Sequence, residues 1–336
     1  MTLSPLQRWL HESMTARRAL ITAASGLGDI LRVTPLVRVC VSLGYEVDFL
    51  VSPDYPETAR LLEGAPEIRR VFRRPSRWSG QSATGEESLP TDSYEIATFT
   101  YWSSTLRHLV RANRTYCFDP RNWLANGDHS CVVAIARLLG WKSELPRPFS
   151  MKSSRKFGLK PNTVAIHPGC KPDWPWKKWH GFADLARELP EVVLLGTAKD
   201  FDNSGTYFEK TFDWPKHVQN FSGQLNLLDS AALLSECAAL VSNDSGIMHL
   251  GAALGIPTFG IFGITSPLRE LVPSPYLFPV TKGLFCENAC HRGQWGRRDC
   301  EHHLKCLKTL TASEVLERMR AKISFEVESA PAALHG

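Results

Sequence analysis

Charge of one sign is never in large excess. Lys and Arg number 39 against 34 Asp and Glu, a net of +5, which is too slight to argue for nucleic acid by itself. No nucleic-acid partner is therefore expected. Residues 1–18 lack a continuous apolar core and a small-residue cleavage site, so no secretory leader is expected in that stretch. Leu3, Leu6, Leu10 and Met14 do share one helical face, with Trp9 beside them. The stripe reads either as packing on its own domain or as an interfacial helix. Gly246 to Ile264 contains no Asp, Glu, Lys or Arg. Its glycines and Pro257 argue against a membrane span and for a buried helix followed by a buried strand. No repeat with a period of about 20–50 residues is evident, which argues against a solenoid. The expectation is a cytoplasmic protein, with peripheral contact at a membrane left open.

What is present fits a two-domain α/β chain. With 336 residues, 43% hydrophobic and 22% charged, two domains of about 150 residues each are expected. Ala19–Ala23 is a short apolar strand, followed by the glycine turn Ser25-Gly26-Leu27-Gly28-Asp29. A helix from Ile30 to about Ser42 and a strand from Glu46 to Val51 come next. This β-turn-α-β opening begins a doubly wound sheet. Ser76 to Asp92 reads as a loop, Tyr94 to Thr100 as a strand and residues 128–140 as a helix. Leu145 to Pro161, with three prolines, reads as the linker. The pattern then restarts. Strands are expected at 163–167, 192–196, 239–242 and 258–262, with helices at 179–189, 227–237 and 312 to about 323. The expected division is a first domain at 1–150, a second at 151–310 and a C-terminal helix and tail at 311–336.

The turns carry the chemistry. Gly26-Leu27-Gly28-Asp29-Ile30-Leu31 has two glycines of a dinucleotide fingerprint, but Leu31 stands where the third belongs. Asp48 is about the right distance on to be the acid of that fingerprint but lies early in its strand, while Asp54 lies late. Asp29 reads as a helix N-cap or as a carboxylate that accepts a proton from an attacking hydroxyl. The second turn, Pro168 to Trp179, is dense in Trp and Lys, and one Lys there could neutralise a leaving diphosphate. Asp200, in Gly196-Thr197-Ala198-Lys199-Asp200, reads as a ribose contact or a cap. Ser242-Asn243-Asp244-Ser245-Gly246 reads as a strand end, a tight turn and a helix start. Backbone N–H groups there suit a phosphate, and the acid suits a polyol. Arg60, Arg69, Arg70, Arg73, Arg74 and Arg77 fall in one stretch opposed only by Glu63 and Glu67. The stretch reads as a solvated helix and loop or as a surface for an anionic partner.

Four motifs occur in order: Gly28-Asp29 with Thr34-Pro35; His167-Pro168-Gly169 with Lys177-x-Trp179; Asp244-Ser245-Gly246-x-x-His249; and Gly263-x-Thr265-x-Pro267. Together they resemble glycosyltransferase family 9, the ADP-heptose:lipopolysaccharide heptosyltransferases, over roughly residues 18–320. The resemblance implies a GT-B fold, two facing Rossmann-like domains with parallel sheets and a deep interdomain cleft. It implies an acceptor held at 1–150 and a nucleotide sugar at 151–310, with the C-terminal helix and tail at 311–336 crossing back to the first domain. It leaves open peripheral contact at the cytoplasmic face of the inner membrane. It implies inverting transfer of heptose, or a related sugar, from an ADP-sugar to an anionic glycolipid or glycan, with the lipopolysaccharide inner core foremost. No cofactor is then required for catalysis. Asp29 takes the place of the general base and Lys177 that of the diphosphate lysine, with Lys178 as its substitute. The implied donor set is Gly28, Thr197, Asp200, Asp244, Ser245, Gly246 and His249. On the acceptor side stand Arg32, Arg69, Arg70 and Arg73.

Nine cysteines are present. Cys40, Cys117, Cys131, Cys170 and Cys237 are scattered and read as buried thiols. Cys286, Cys290, Cys300 and Cys306 form a cluster whose spacing is not that of a standard zinc finger. A structural Zn or Fe site, reduced thiols and disulfides all remain open. Two other functional classes compete: an NAD(P)-dependent oxidoreductase built on the first glycine turn, and a non-catalytic sugar-nucleotide-binding module.

Overall fold

A computed structural model describes residues 16–53, 56–74, 88–117, 130–151, 153–170, 174–201, 212–284, 286, 300 and 302–323. The amphipathic stripe at Leu3–Met14 and most of the loop at 76–92 lie outside these residues. The chain forms two compact units. The first is 1–150 together with Leu268–Pro273; the second is 151–267 together with 274–336.

The first unit is a five-stranded parallel sheet in the order β3-β2-β1-β4-β5. Its strands are β1 (Arg18–Ser25), β2 (Glu46–Pro53), β3 (Ile68–Arg73), β4 (Ser93–Phe99) and β5 (Arg111–Cys117). Leu20, Leu50, Phe72, Tyr94, Ala97, Phe99 and Leu106 pack into one apolar cluster against the sheet. The helix Leu27–Ser42 follows β1 and is buried along most of its length. It carries Pro35 in its interior, which has no N–H to offer the Leu31 carbonyl. The Thr34 hydroxyl donates to that carbonyl at 2.8 Å instead. Thr34 Oγ1 in turn accepts from the N–H of Phe149 at 2.9 Å. The Thr34-Pro35 pair is thus a helix with its own repair.

The arginine-rich stretch is not the helix and loop that one of its readings expects. A short helix, Pro56–Glu63, is followed by β3 at the sheet edge. Ile68, Val71 and Phe72 hold β3 to the sheet, while Arg69 and Arg70 stand on its exposed side, as charge does on edge strands.

The second unit is a six-stranded parallel sheet in the order β11-β10-β9-β6-β7-β8. Its strands are β6 (Val164–His167), β7 (Val192–Leu194), β8 (Val218–Asn220), β9 (Ala239–Asn243), β10 (Thr258–Ile261) and β11 (Leu277–Val280). The charge-free stretch from Gly246 divides into the helix Gly246–Leu254 and β10. No helix among the described residues is long and apolar enough to cross a membrane. The helix Ala312–Arg320 was expected to cross back to the first unit. Instead Val315, Leu316 and Met319 are part of the second unit's own core. The segment that joins the first unit is Leu268–Pro273.

In both sheets the strand order reverses beside the first strand of the unit: between β1 and β4, and between β6 and β9. Ligands of open α/β sheets bind outside the strand carboxyl ends at such a point.

Candidate functional site

In the second unit the turns after β6 and β9 flank the reversal. His167 ends β6 and is buried. Its Nδ1 lies 3.2 Å from Ser242 Oγ and 3.1 Å from Ser245 Oγ. Ser245 is the N-cap of Gly246–Leu254, in extended backbone, and its side chain makes no cap bond. The hydroxyl is instead turned to the imidazole, at the positive end of the helix dipole. Burial pushes the His167 pKa down and the Lys178 charge adds to that, while Asp200 pulls the other way. A neutral imidazole is the result.

Lys177 ends a short 3-10 turn, Pro175–Lys177. Its Nζ lies 2.6 Å from Asp244 Oδ2 and 5.0 Å from the centre of the Trp174 ring. The two residues that the sequence assigns to diphosphate and sugar are therefore ion-paired with each other. Lys178, the substitute cation, is more deeply buried, and its charge is felt at His167 and Cys170.

Asn243 holds these loops together, a role that sequence reasoning missed. Its Nδ2 donates to the Pro168 carbonyl at 2.6 Å, and its Oδ1 accepts from the Trp179 N–H at 3.0 Å. Trp179 is fully buried, with Nε1 donating to the Leu310 carbonyl at 2.9 Å. One amide thus joins the end of β9 to the turn after β6 and to the residue two beyond Lys177. The available signal was the polar end, Ser242-Asn243, of a strand that begins apolar.

Asp200 packs beneath the turn. Its Oδ2 accepts from both the N–H and the hydroxyl of Thr197, each at 2.8 Å. Asp200 is the third residue of the short helix Ala198–Phe201 and is bonded back to Thr197 just before it. A Cβ on Gly169 would sit 2.5 Å from the Asp200 carboxylate, and one on Gly196 would sit 2.8 Å from its Oδ2. The Gly169 clash explains the glycine of His167-Pro168-Gly169. Cys170, partly buried, donates from Sγ to the Trp174 carbonyl, and burial pushes its pKa up to about 11. Gly246 opens its helix, and His249 is buried one turn on.

In the first unit Gly28 and Asp29 lie in the first turn of Leu27–Ser42, at the reversal between β1 and β4. The N-cap is Gly26, so Asp29 is the third helical residue and does not cap the helix. Arg32 is buried; its Nη2 donates to Asp29 Oδ1 and its Nη1 to Glu270 Oε2. Gly28 was grouped with the donor residues but belongs to this unit.

Two acceptor-side expectations change. Arg69 and Arg70 both bind Asp48, a wholly buried carboxylate, and Asp92. Tyr94 donates its hydroxyl to the same Asp48 at 2.8 Å. Asp48 pairs in register with Leu20 and Arg70, towards the amino end of the sheet. Both arginines are therefore spent at the end opposite to Asp29, and Asp48 is no ribose acid for the oxidoreductase reading. Arg73, near the carboxyl end of β3, is ion-paired with Glu63. Asp54 lies outside the described residues.

Of the scattered cysteines, Cys40, Cys131 and Cys237 are buried, but Cys117 is exposed. Cys306 is packed in the apolar core of the second unit, and Cys300 Sγ accepts from the Leu304 N–H at 3.4 Å. Cys286 is partly buried, and Cys290 lies outside the described residues. Among the described residues no three His, Cys, Asp or Glu side chains form a metal-ligand set.

Residues 139–277 match the family model of glycosyltransferase family 9 (heptosyltransferase). Lipopolysaccharide heptosyltransferase 2 of Salmonella typhimurium is 32% identical over 194 residues, 56% of this chain and 52% of that protein. The chain thus spans about half the length of that relative. Two solved structures share the fold over 91% of this chain. The heptosyltransferase II of E. coli has a TM-score of 0.59 at 18% identity and 98% coverage of its own chain. The E. coli heptosyltransferase WaaC with ADP has 0.61 at 16% and 100%. The fold is the GT-B class of α/β architecture. Residues 139–277 thus resemble glycosyltransferase family 9, and the chain carries the fold of the solved heptosyltransferases.

Proposed function

We propose that the chain is an inverting glycosyltransferase that moves heptose from ADP-heptose to a saccharide of the lipopolysaccharide inner core. The observation that carries the reading is the meeting of Lys177, Asp244 and Ser245 at the strand-order reversal of the matched unit. The second unit is the donor side. The helix start at Ser245–Gly246 and the Lys177 ammonium stabilise the departing diphosphate, and Asp244 binds sugar hydroxyls once Lys177 turns to the phosphates. The anomeric carbon gains oxocarbenium character as its bond to the phosphate oxygen breaks. Asp29 accepts the proton of the attacking acceptor hydroxyl. The ADP seen with WaaC and the heptosyltransferase names of the relatives support this choice of donor. On the acceptor side Arg32 and Arg73 stay as candidates, whereas Arg69 and Arg70 do not.

Calorimetry with ADP-heptose, other ADP-sugars, UDP- and GDP-sugars and NAD(P) tests the donor. Saturable ADP-heptose binding in preference to the others is expected. NAD(P) binding without ADP-sugar binding would overturn the reading in favour of an oxidoreductase. Asp29→Asn is expected to keep donor affinity and lose transfer by at least about 100-fold. Near-normal transfer by that variant would remove Asp29 as the base.

A further inference from the structure

His167 and Ser242 are register partners at the carboxyl ends of β6 and β9. Their side chains close a triangle with Ser245, which lies just beyond β9. His167 Nδ1 is 3.2 Å from Ser242 Oγ and 3.1 Å from Ser245 Oγ, and the two hydroxyl oxygens are 3.1 Å apart. One proton of the triangle is already placed. Ser242 Oγ donates to the Asn243 carbonyl at 2.7 Å, the shortest of its contacts. A hydroxyl has one proton to give, so Ser242 enters the triangle as an acceptor. A bare Nδ1 would then face the Ser242 oxygen with no proton between them. A proton on Nδ1 satisfies that contact and also donates to Ser245 Oγ. Among the described residues no hydrogen bond draws the proton to Nε2 instead. Asp200, the carboxylate whose charge reaches the ring, gives its Oδ2 to Thr197.

The consequence falls on Ser245. A serine at a helix N-cap ordinarily turns its oxygen to the N–H groups of the first turn; this one does not. Its oxygen accepts from Nδ1, so its own proton is left for Ser242 Oγ or for a ligand. Ser242 is wholly buried, whereas Ser245 is partly exposed. We propose that His167 is a positioning residue for the donor diphosphate. As the Nδ1–H tautomer it holds the Ser245 oxygen, so that the hydroxyl gives its proton to a phosphate oxygen and leaves the first-turn N–H groups uncovered for the same anion. A hydroxyl that accepts one bond is also a stronger donor in the next. The phosphate role rests on the reading of the second unit as the donor side. The tautomer does not.

The test has two arms. The first is long-range nitrogen–proton NMR of the full-length protein with isotope-labelled histidine, the His167 signals being identified by their loss in His167→Asn. A proton on Nδ1 is expected; a bare Nδ1 would overturn the proposal whatever the protein binds. The second arm is calorimetry with ADP and with ADP-heptose. Ser245→Ala and His167→Ala are each expected to weaken binding by about 10- to 100-fold. His167→Asn, whose amide N–H can stand in for Nδ1–H, should stay within about threefold of the parent. Because His167 acts through the Ser245 hydroxyl, the double variant His167→Ala/Ser245→Ala should bind within about threefold of Ser245→Ala alone. A full loss in His167→Asn, or losses that multiply in the double variant, would mark a merely structural role and sink the positioning claim. Unchanged binding by Ser245→Ala would sink it too. If the parent binds neither ADP nor ADP-heptose, the donor reading fails and the positioning role goes with it. The tautomer is still decided by the first arm.

Discussion

Lys177 Nζ lies 2.6 Å from Asp244 Oδ2, across two turns that are far apart in sequence. The side chains are 17% and 7% exposed. A pair so placed is costly to break from one side, because the remaining charge stays largely buried. A double-mutant cycle of Lys177→Met and Asp244→Asn, read by urea unfolding, should give a coupling energy of about 1–3 kcal/mol. Each single variant should be less stable than additivity with the double variant allows. In donor titrations Lys177→Met should weaken ADP-heptose binding more than Lys178→Met does. The reverse order would move the diphosphate contact to the more buried lysine.

Asn243 is the second target. Its amide makes bonds in both directions, to the Pro168 carbonyl and from the Trp179 N–H. Asn243→Ala leaves two buried main-chain groups without that partner, at about 1–3 kcal/mol each if nothing replaces it. A loss of about 2–4 kcal/mol in chemical denaturation is expected. Asn243→Asp keeps the acceptor for Trp179 but sets a carboxylate oxygen against the Pro168 carbonyl, so it should be no better tolerated. Stability within about 0.5 kcal/mol of the parent for either variant would show that the loops hold without this amide.

His167 gives a pH signature. Its folded pKa lies below the ordinary value because it is buried, with Lys178 adding to the burial and Asp200 opposing it. The unfolded chain protonates this imidazole near pH 6.5, while the folded protein keeps it neutral. Below about pH 6.5 the unfolded state binds more protons, so stability is present above that pH and falls as the solution is acidified towards the folded pKa. Thermal unfolding followed from about pH 7.5 to 5 should show a steeper decline for the parent than for His167→Asn. Parallel curves would mean that the imidazole titrates alike in the folded and the unfolded chain.

Most of this architecture is legible in the sequence because the signals are local. Apolar runs such as Val192–Leu195 and the restart of β-turn-α after the proline-rich linker locate the strands. Asp244-Ser245-Gly246 shows itself as a turn ahead of a small-residue helix. Other features depend on residues far apart in the chain. β3 was hidden because its exposed edge carries Arg69 and Arg70, whose partner Asp48 lies on another strand. The arginines look like a patch until that buried carboxylate is placed beside them. The Lys177–Asp244 pair, the two bonds of Asn243 and the packing of Gly169 on Asp200 are likewise contacts between loops. Each residue type was visible, but its partner was not. The return of the chain to the first unit falls at Leu268–Pro273, not at the C-terminal helix, because Val315, Leu316 and Met319 are claimed by the second core.

That short excursion also bears on how the protein can be taken apart. A cut after residue 150 looks like a clean seam between halves. It would nevertheless strip the first half of Glu270 and of the two bonds that residue takes from Arg32. A chimera that borrows a first half from a relative inherits a helix matched to one excursion and receives another. The unit of exchange is therefore residues 1–150 with 268–273, two pieces of chain that have to be swapped as one.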